Sequence, residues 1–196
     1  FRLIVFLLAT GLVWDFKNAL ETQRKLARTD PLTGLSNRRA FFEKADAEMN
    51  RAKRFGYPLS IVYMDIDNFK TVNDDLGHEA GDNLLKVIAD TVLKNIRNID
   101  ISVRFGGDEL GILLSETDAA GARKLAEKLN QKLKIKMCEH DWPVTFSMGV
   151  ATFQDISVNI EDMLNIADKL MYLAKKNGKN RILHQVITDK ELPANR

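Results

Sequence analysis

Two carboxylates, Asp108 and Glu109, stand side by side at the tip of a segment that the sequence predicts to be a β-hairpin. Apolar residues alternate on both sides of the tip, and Gly106 and Gly107 supply the turn. Turns of this kind ordinarily carry residues such as Asn-Gly, and adjacent carboxylates repel each other unless a cation lies beside them. The hairpin tip is therefore interpreted as one side of a metal site.

A further carboxylate, Asp65, comes at the end of a predicted buried strand, where a charged group needs a partner. With Asp108 or Glu109 it could bind a hard cation such as Mg²⁺, and two such ions would clamp a triphosphate and activate a hydroxyl. An EF-hand loop is excluded because Phe69 and Lys70 occupy its fifth and sixth positions. A strand end with solvated acids is the alternative for either acidic segment alone.

Basic residues accompany these acids. Lys70 follows the Asp65 segment, and a second cluster spans Lys175 to Arg181. Positive charges at both places could hold phosphate groups. For the second cluster, the alternative is the ordinary basic end of a helix, with Gly178 as the residue that follows it.

The overall composition favours an ordinary globular domain. The chain has 196 residues, of which 45% are hydrophobic and 29% charged, and its formal net charge is only +2. This balance gives no general case for binding nucleic acid. The single cysteine, Cys138, excludes an internal disulfide and suits a reducing cytosol.

Hydrophobic periodicity and turn residues predict how the elements are arranged. We expect an α/β (α+β) domain with a central, mostly antiparallel sheet flanked by helices. The predicted helices cover residues 38–55, 70–75, 82–96, 119–134 and 160–176. The predicted strands cover residues 58–65, the two arms of the hairpin, one or two strands within 142–153, and 181–184.

The first 28 residues are predicted to form a separate helical segment, followed by the domain at 29–186 and a tail at 187–196. Leu3 to Trp14 is almost wholly apolar but has only 12 residues, whereas a membrane helix needs about 20. It could be the end of a membrane helix, since Phe1 is not an initiator methionine and the chain looks cut from something longer. A buried or dimer-forming amphipathic helix is the alternative. The pattern from Val13 to Arg28 resembles a short coiled-coil stalk.

Five segments together resemble the GGDEF domain of bacterial diguanylate cyclases, enzymes that condense two GTP molecules into cyclic di-GMP. The resemblance extends from about Asp30 to His184, and its hairpin motif ends in Leu110 where the family has an aromatic residue. That position is expected to contribute apolar bulk rather than chemistry. The matching segments are Asp30–Arg39, Asp65–Asp74, Gly77–Asp82, Arg104–Leu110 and Ala174–Arg181.

The resemblance implies a palm-like nucleotidyl cyclase fold and roles for these residues. Two Mg²⁺ ions, which Mn²⁺ could replace, would be held by Asp65, the carbonyl of Ile66, Asp108 and Glu109. Asp108 would help to deprotonate the ribose 3′-hydroxyl that attacks the α-phosphorus of the second GTP, and Glu109 would assist at the metal. The residues expected to bind phosphates are Asn68 and Phe69 through their backbone amides, and Lys70, Lys175 and Lys179 through their side chains.

Recognition of guanine is implied for Asn73 and Asp82. A carboxylate accepts hydrogen bonds from guanine N1–H and its 2-amino group, whereas adenine presents an acceptor at N1. An ionised Asp82 would thus be left unpaired against adenine, which is a basis for selectivity. His78, in the same segment, could contact the base or ribose, or could be structural.

Regulation and assembly are also implied by the resemblance. Arg97 and Asp100 form an R-x-x-D pair at the offset of the family's inhibitory site for cyclic di-GMP, and a helix-end salt bridge is the alternative. Activity would require a homodimer with facing active sites, brought together by the N-terminal stalk. The catalytic domain would be cytoplasmic, in a bacterial protein anchored in the inner membrane by a segment upstream. A catalytically silent sensor of cyclic di-GMP or GTP remains the alternative function.

Overall fold

The computed structural model describes residue 14 and residues 28–188, which form a five-stranded sheet flanked by helices. In chain order the elements are α1 (Arg38–Phe55), β1 (Leu59–Asp67), α2 (Phe69–Leu76), α3 (His78–Leu93), β2 (Ile101–Gly106), β3 (Glu109–Leu114), α4 (Ala119–Glu139), β4 (Thr145–Phe153), α5 (Ile160–Lys176) and β5 (Ile182–Ile187).

The strand order is β2-β3-β1-β4-β5, with β1 at the centre. All neighbouring strands pair antiparallel except β4 and β5, which are parallel. The prediction of a mostly antiparallel sheet within an α+β fold is therefore confirmed.

The sheet has a hydrophobic core on each face. Side chains of β1 alternate between the faces, so that Val62 and Met64 belong to one core while Leu59 and Ile61 belong to the other. The first core is covered by α3 and α4, and the second by α1 and α5. Asp65 lies four positions after Ile61 on the same strand, so it lies on the α1/α5 face.

Helix α5 lies unusually close to the sheet. A Cβ atom built on Gly149 of β4 would lie 2.0 Å from the carbonyl oxygen of Ala167, so only glycine allows this approach. The last turn of α5, which carries Lys175, is thereby brought to the end of β1.

The boundaries of two helices match the sequence prediction, and both start at asparagine caps. Asn37 accepts a hydrogen bond from the backbone N–H of Ala40, and Asn159 accepts one from that of Asp162. Helix α4 extends to Glu139 rather than Lys134, and β1 continues to Asp67 rather than ending at Asp65.

Helix α3 starts at His78, four residues before the predicted start at Asp82. The backbone N–H groups of Ala80 and Gly81 both donate to the carbonyl of Gly77, so the helical turn begins there. Gly81, which precedes the predicted start, lies inside the helix. A Cβ atom built on it would lie 2.0 Å from Oδ1 of Asn73, so a larger residue would not fit there without a shift. The close contact between α2 and α3 explains this glycine.

The segment before α1 is fixed to the edge of the sheet. Asp30 accepts hydrogen bonds from the backbone and hydroxyl of Thr33, at 2.9 and 2.6 Å, and forms an ion pair with Arg104 of β2 at 3.2 Å. Partial burial acts to raise the pKa of Asp30, but these hydrogen bonds hold it below its usual value.

Within residue 14 and residues 28–188, no helix combines the length and apolar composition needed to cross a membrane. The predicted stalk and apolar segment fall almost entirely on residues 1–13 and 15–27, which lie outside the described residues.

Candidate active site

The central acidic residue, Asp65, is buried at the end of β1 and forms an ion pair with Lys175 of α5. Its Oδ2 lies 2.6 Å from Nζ of Lys175, and its side chain is 6% exposed. Its Oδ1 is also buried but has no hydrogen-bond partner among the described residues. Glu109 lies directly opposite Asp65 in the pairing of β1 with β3.

The surroundings of Asp65 disfavour its negative charge. Burial raises its pKa to about 6, and the charges of Asp108 and Glu109 act in the same direction, while the hydrogen bond and charge of Lys175 oppose the shift. A divalent cation beside the unpartnered oxygen would reverse this balance. The donor set therefore fits a hard, oxygen-preferring metal ion.

The hairpin tip is held by Arg104, which donates from Nε and Nη2 to the carbonyl of Gly107 at 3.1 and 2.9 Å. Asp108 and Glu109 are both half-buried beyond this anchor. The hydroxyl of Tyr63 donates to Oε2 of Glu109 at 3.3 Å, and burial together with Glu109 raises the pKa of Tyr63.

Leu110 follows the two acids and is 1% exposed within the core beneath the hairpin. It pairs with Met64 across β1 and β3. Leu110 therefore contributes apolar packing, as expected for this position.

The described residues contain no group of three or more His, Cys, Asp or Glu side chains already arranged to hold a metal ion. Only Asp65 and Glu109 are placed opposite each other by strand pairing, and Asp108 acts on Asp65 through its charge. The expectation that all three acids and the carbonyl of Ile66 close around an ion stays a prediction.

Contacts join two of the three lysines to the segment from Asp65 to Asn68. Nζ of Lys179 donates to Oδ1 of Asn68 at 2.7 Å, which joins the loop after α5 to the start of α2. Lys70 is exposed on the first turn of α2, and Phe69 beside it is half-buried. Lys175 and Lys179 thus lie beside this segment, and Lys70 follows Asn68 by two residues along the chain.

The residues expected to read guanine lie together at the junction of α2 and α3. Asn73 contacts Gly81 in the first turn of α3, and Asp82 follows Gly81 directly. Asp82 and His78 are both exposed. The His78 side chain makes no hydrogen bond, ion pair or ring contact with the described residues, so its role stays a prediction.

Arg97 and Asp100 lie at a separate corner of the domain and bind each other. Asp100 accepts from the backbone N–H of Arg97 at 2.8 Å and from its Nη2 at 3.0 Å, and it also accepts from the backbone N–H of Ser115 at 3.3 Å. The Asp100 side chain is 1% exposed, whereas that of Arg97 is 53% exposed. A cavity of about 500 Å³ borders this pair.

Comparison with known proteins identifies the family. The sequence profile described as "Diguanylate cyclase, GGDEF domain" matches residues 27–181. The chain belongs to this family. Its GGDEF domain is 40% identical over 172 residues to the diguanylate cyclase DgcP of Pseudomonas aeruginosa, a match that covers 85% of this chain and 25% of DgcP. It is 35% identical over 172 residues to the cyclic di-GMP phosphodiesterase NbdA of the same species, covering 87% of this chain and 22% of NbdA.

The GGDEF fold is also found among solved structures. The crystal structure of the coiled coil and GGDEF domain of DgcB from Caulobacter crescentus, in complex with c-di-GMP, matches with a TM-score of 0.76 at 26% identity. The match covers 90% of this chain and 95% of that one. The GGDEF domain here spans about a quarter of the length of DgcP and NbdA, so the activity of the whole protein is a matter for proposal.

One residue that sequence reasoning missed is Asp67. Its carboxylate is 1% exposed and accepts hydrogen bonds from Ser147, Thr145 and the backbone of Asn180. The signal available in the sequence was a second carboxylate two residues after Asp65, on the same face of β1.

Proposed function

We infer that this domain condenses two molecules of GTP into cyclic di-GMP, releasing two pyrophosphates. The observation that carries the proposal is the buried, unpartnered Oδ1 of Asp65, opposite Glu109 and beside the charge of Asp108. A buried carboxylate without a partner is costly, and such groups concentrate at functional sites. Membership of the GGDEF family supports the same reaction.

Asp65, the Ile66 carbonyl, Asp108 and Glu109 would hold Mg²⁺. The metal would supply charge neutralisation at the phosphates and a lowered pKa at the 3′-hydroxyl. Asp108, half-buried at the hairpin tip, would accept the proton as the 3′-oxygen attacks the α-phosphorus of the other GTP and pyrophosphate leaves.

The lysines would position the triphosphate. Lys175 and Lys179 would contact the terminal phosphates, with Lys70 and the backbone amides of Asn68 and Phe69 nearer the start of α2. Phosphoryl transfer depends mainly on such positioning and charge stabilisation. On binding GTP, each lysine would replace its present partner, or water, with a phosphate oxygen. For Lys175 the present partner is Asp65.

Guanine would be bound by Asn73 and Asp82, at the opposite end of the nucleotide from Lys179. Asp82 is exposed in the structure and is therefore accessible to a base. The proposal includes His78 as a neighbour of the base or ribose.

Attack on a second GTP requires two domains with facing sites, so we propose a homodimer assembled through residues 1–28. Coupling of that segment to catalysis would be refuted if deleting it changed neither dimerisation nor activity. The domain would work in the cytoplasm, with membrane attachment through a segment upstream.

Product inhibition through Arg97 and Asp100 is part of the proposal. Asp100 is held by its own chain, so cyclic di-GMP would have to replace these hydrogen bonds or use the exposed part of Arg97. Loss of inhibition in Arg97→Ala, with the uninhibited rate retained, would support this assignment.

The match with NbdA, whose name states a phosphodiesterase, favours a second candidate, in which the domain binds nucleotide without turning it over. Incubation with GTP and Mg²⁺, with chromatography of the products, separates the two. The parent should form cyclic di-GMP, Asp108→Ala should form none, and Asp90→Ala, which removes a solvent-exposed acid on α3, should match the parent. Binding of GTP without product would favour the silent domain.

A further inference from the structure

The carboxylate of Asp67 has no part in the reaction proposed above, although it lies deep in the protein at the end of β1. Its Oδ1 accepts from Oγ of Ser147 at 2.8 Å, and its Oδ2 accepts from Oγ1 of Thr145 at 2.7 Å. Oδ2 also accepts from the backbone N–H of Asn180 at 3.0 Å. Ser147 and Thr145 belong to β4, so Asp67 joins the sheet to the loop that follows α5.

That loop has a costly backbone conformation at Lys179. Lys179 adopts a φ of 61°, in the left-handed region that non-glycine residues disfavour, and Asn180 follows with a φ of 49°, which asparagine tolerates better than most residues. Asn68, which accepts the hydrogen bond from Lys179, has a φ of 63°. Strained backbone persists only where its surroundings hold it, and it gathers at ligand-binding sites.

Asp67 is connected to both segments that contain positive φ angles. Asn68 is its neighbour in the chain, and Asn180 is bound directly to its carboxylate. The side chain is 1% exposed and already accepts three hydrogen bonds. It therefore supports the loop and cannot contact a ligand directly.

We propose that Asp67 is a positioning residue, which holds Lys179 and its loop in the geometry that binds the terminal phosphates of GTP. The inference rests on the proposed function, because it takes GTP as the ligand. Fixing the backbone at residues 179 and 180 before binding lowers the entropy lost when the exposed lysine is ordered on a phosphate.

Two substitutions at position 67 separate the hydrogen bonds from the charge. In Asp67→Asn, the amide oxygen can still accept from Asn180 and Thr145, while the amide NH₂ can donate to the hydroxyl of Ser147. Asp67→Ala loses all three connections. Thr145→Val removes one bond to the same oxygen that holds Asn180, and it serves as the milder variant if Asp67→Ala does not fold.

The test compares binding of 3′-deoxy-GTP and GMP by calorimetry in the presence of Mg²⁺. 3′-Deoxy-GTP lacks the attacking hydroxyl, so no turnover disturbs the titration, and GMP lacks the terminal phosphates. Asp67→Ala should weaken 3′-deoxy-GTP about tenfold or more and leave GMP within about twofold. Thr145→Val should show a smaller loss with the same selectivity, and Asp67→Asn should lie within about threefold of the parent.

A double-mutant cycle adds a second criterion. If Asp67 acts through Lys179, Asp67→Ala should cause no further loss in a Lys179→Ala background. Equal loss for both nucleotides, or additive losses, would mean a general structural role and would overturn the inference.

The failure of this inference can be told from the failure of the proposed function. If the parent binds 3′-deoxy-GTP and Asp67→Ala and Thr145→Val bind it equally well, the positioning role alone is wrong. If the parent does not bind 3′-deoxy-GTP, the proposed function is wrong and the inference falls with it.

Discussion

Two buried carboxylates at opposite corners of the domain are built in contrasting ways. The Asp100 side chain is 1% exposed and is saturated by donors from Arg97 and Ser115. The Asp65 side chain is 6% exposed, forms an ion pair with Lys175, and keeps one buried oxygen without a partner among the described residues.

The two corners differ in whether the protein itself supplies hydrogen-bond partners for the whole carboxylate. The Asp100 corner is complete within the chain, so its carboxylate contributes to folding whether or not a ligand is bound. The Asp65 corner is incomplete, because among residues 28–188 one carboxylate oxygen has no partner, Asp108 and Glu109 disfavour its charge, and Lys175 opposes them. Stability and function should therefore respond in opposite ways to matched substitutions at the two positions.

The largest effect is expected from Asp65→Asn on catalysis. Loss of a metal-binding charge should lower the rate of cyclic di-GMP formation by about a thousandfold or more, within the range of removing a principal electrostatic contribution to a transition state. The free energy of unfolding of the metal-free protein at pH 8 should stay equal or rise, because an unfavourable buried charge is removed. Denaturant unfolding and product chromatography on the same preparation measure both quantities.

Asp100→Asn should show the reverse pattern. Weakening the charge-assisted hydrogen bonds from Arg97 and Ser115 should lower the free energy of unfolding by about 2 kcal/mol. The uninhibited initial rate should remain close to that of the parent. Equal or greater stability in this variant would remove the contrast between the two corners.

A smaller effect concerns pH. The pKa of Asp65 in the folded metal-free protein is about 6, above its ordinary value of 3.8, so the folded state retains this proton where the unfolded state has lost it. The contribution of Asp65 to stability is therefore present at low pH and lost as the pH rises from about 4 through 6. The difference between parent and Asp65→Asn unfolding curves across that window isolates this slope. Saturating Mg²⁺ should flatten it, and a slope of opposite sign would contradict the assignment of burial as its cause.

The sequence predicted what local patterns determine. Helices α1 and α5 have the predicted bounds because their caps and flanking residues are local signals. The burial of Asp65 could also be predicted, because it directly follows an apolar strand. That signal is local and does not depend on where other segments lie.

What the sequence did not reveal depends on contacts between distant segments. The glycine at position 81 is explained by the nearness of Asn73, and the attachment of the segment before α1 depends on Arg104 reaching Asp30. The position of Asp67 between β4 and the Asn180 loop joins residues more than a hundred positions apart. None of these has a periodic or capping signature.

The measurement that tests the account most directly is the stoichiometry of GTP consumption in Mg²⁺ by the parent and Asp65→Asn. The account predicts two pyrophosphates released for each cyclic di-GMP formed by the parent, and neither product from Asp65→Asn. Equal cyclic di-GMP formation by both proteins, or conversion of GTP to GDP and phosphate, would contradict the claim that the incomplete Asp65 corner is the centre of a GTP-condensing enzyme.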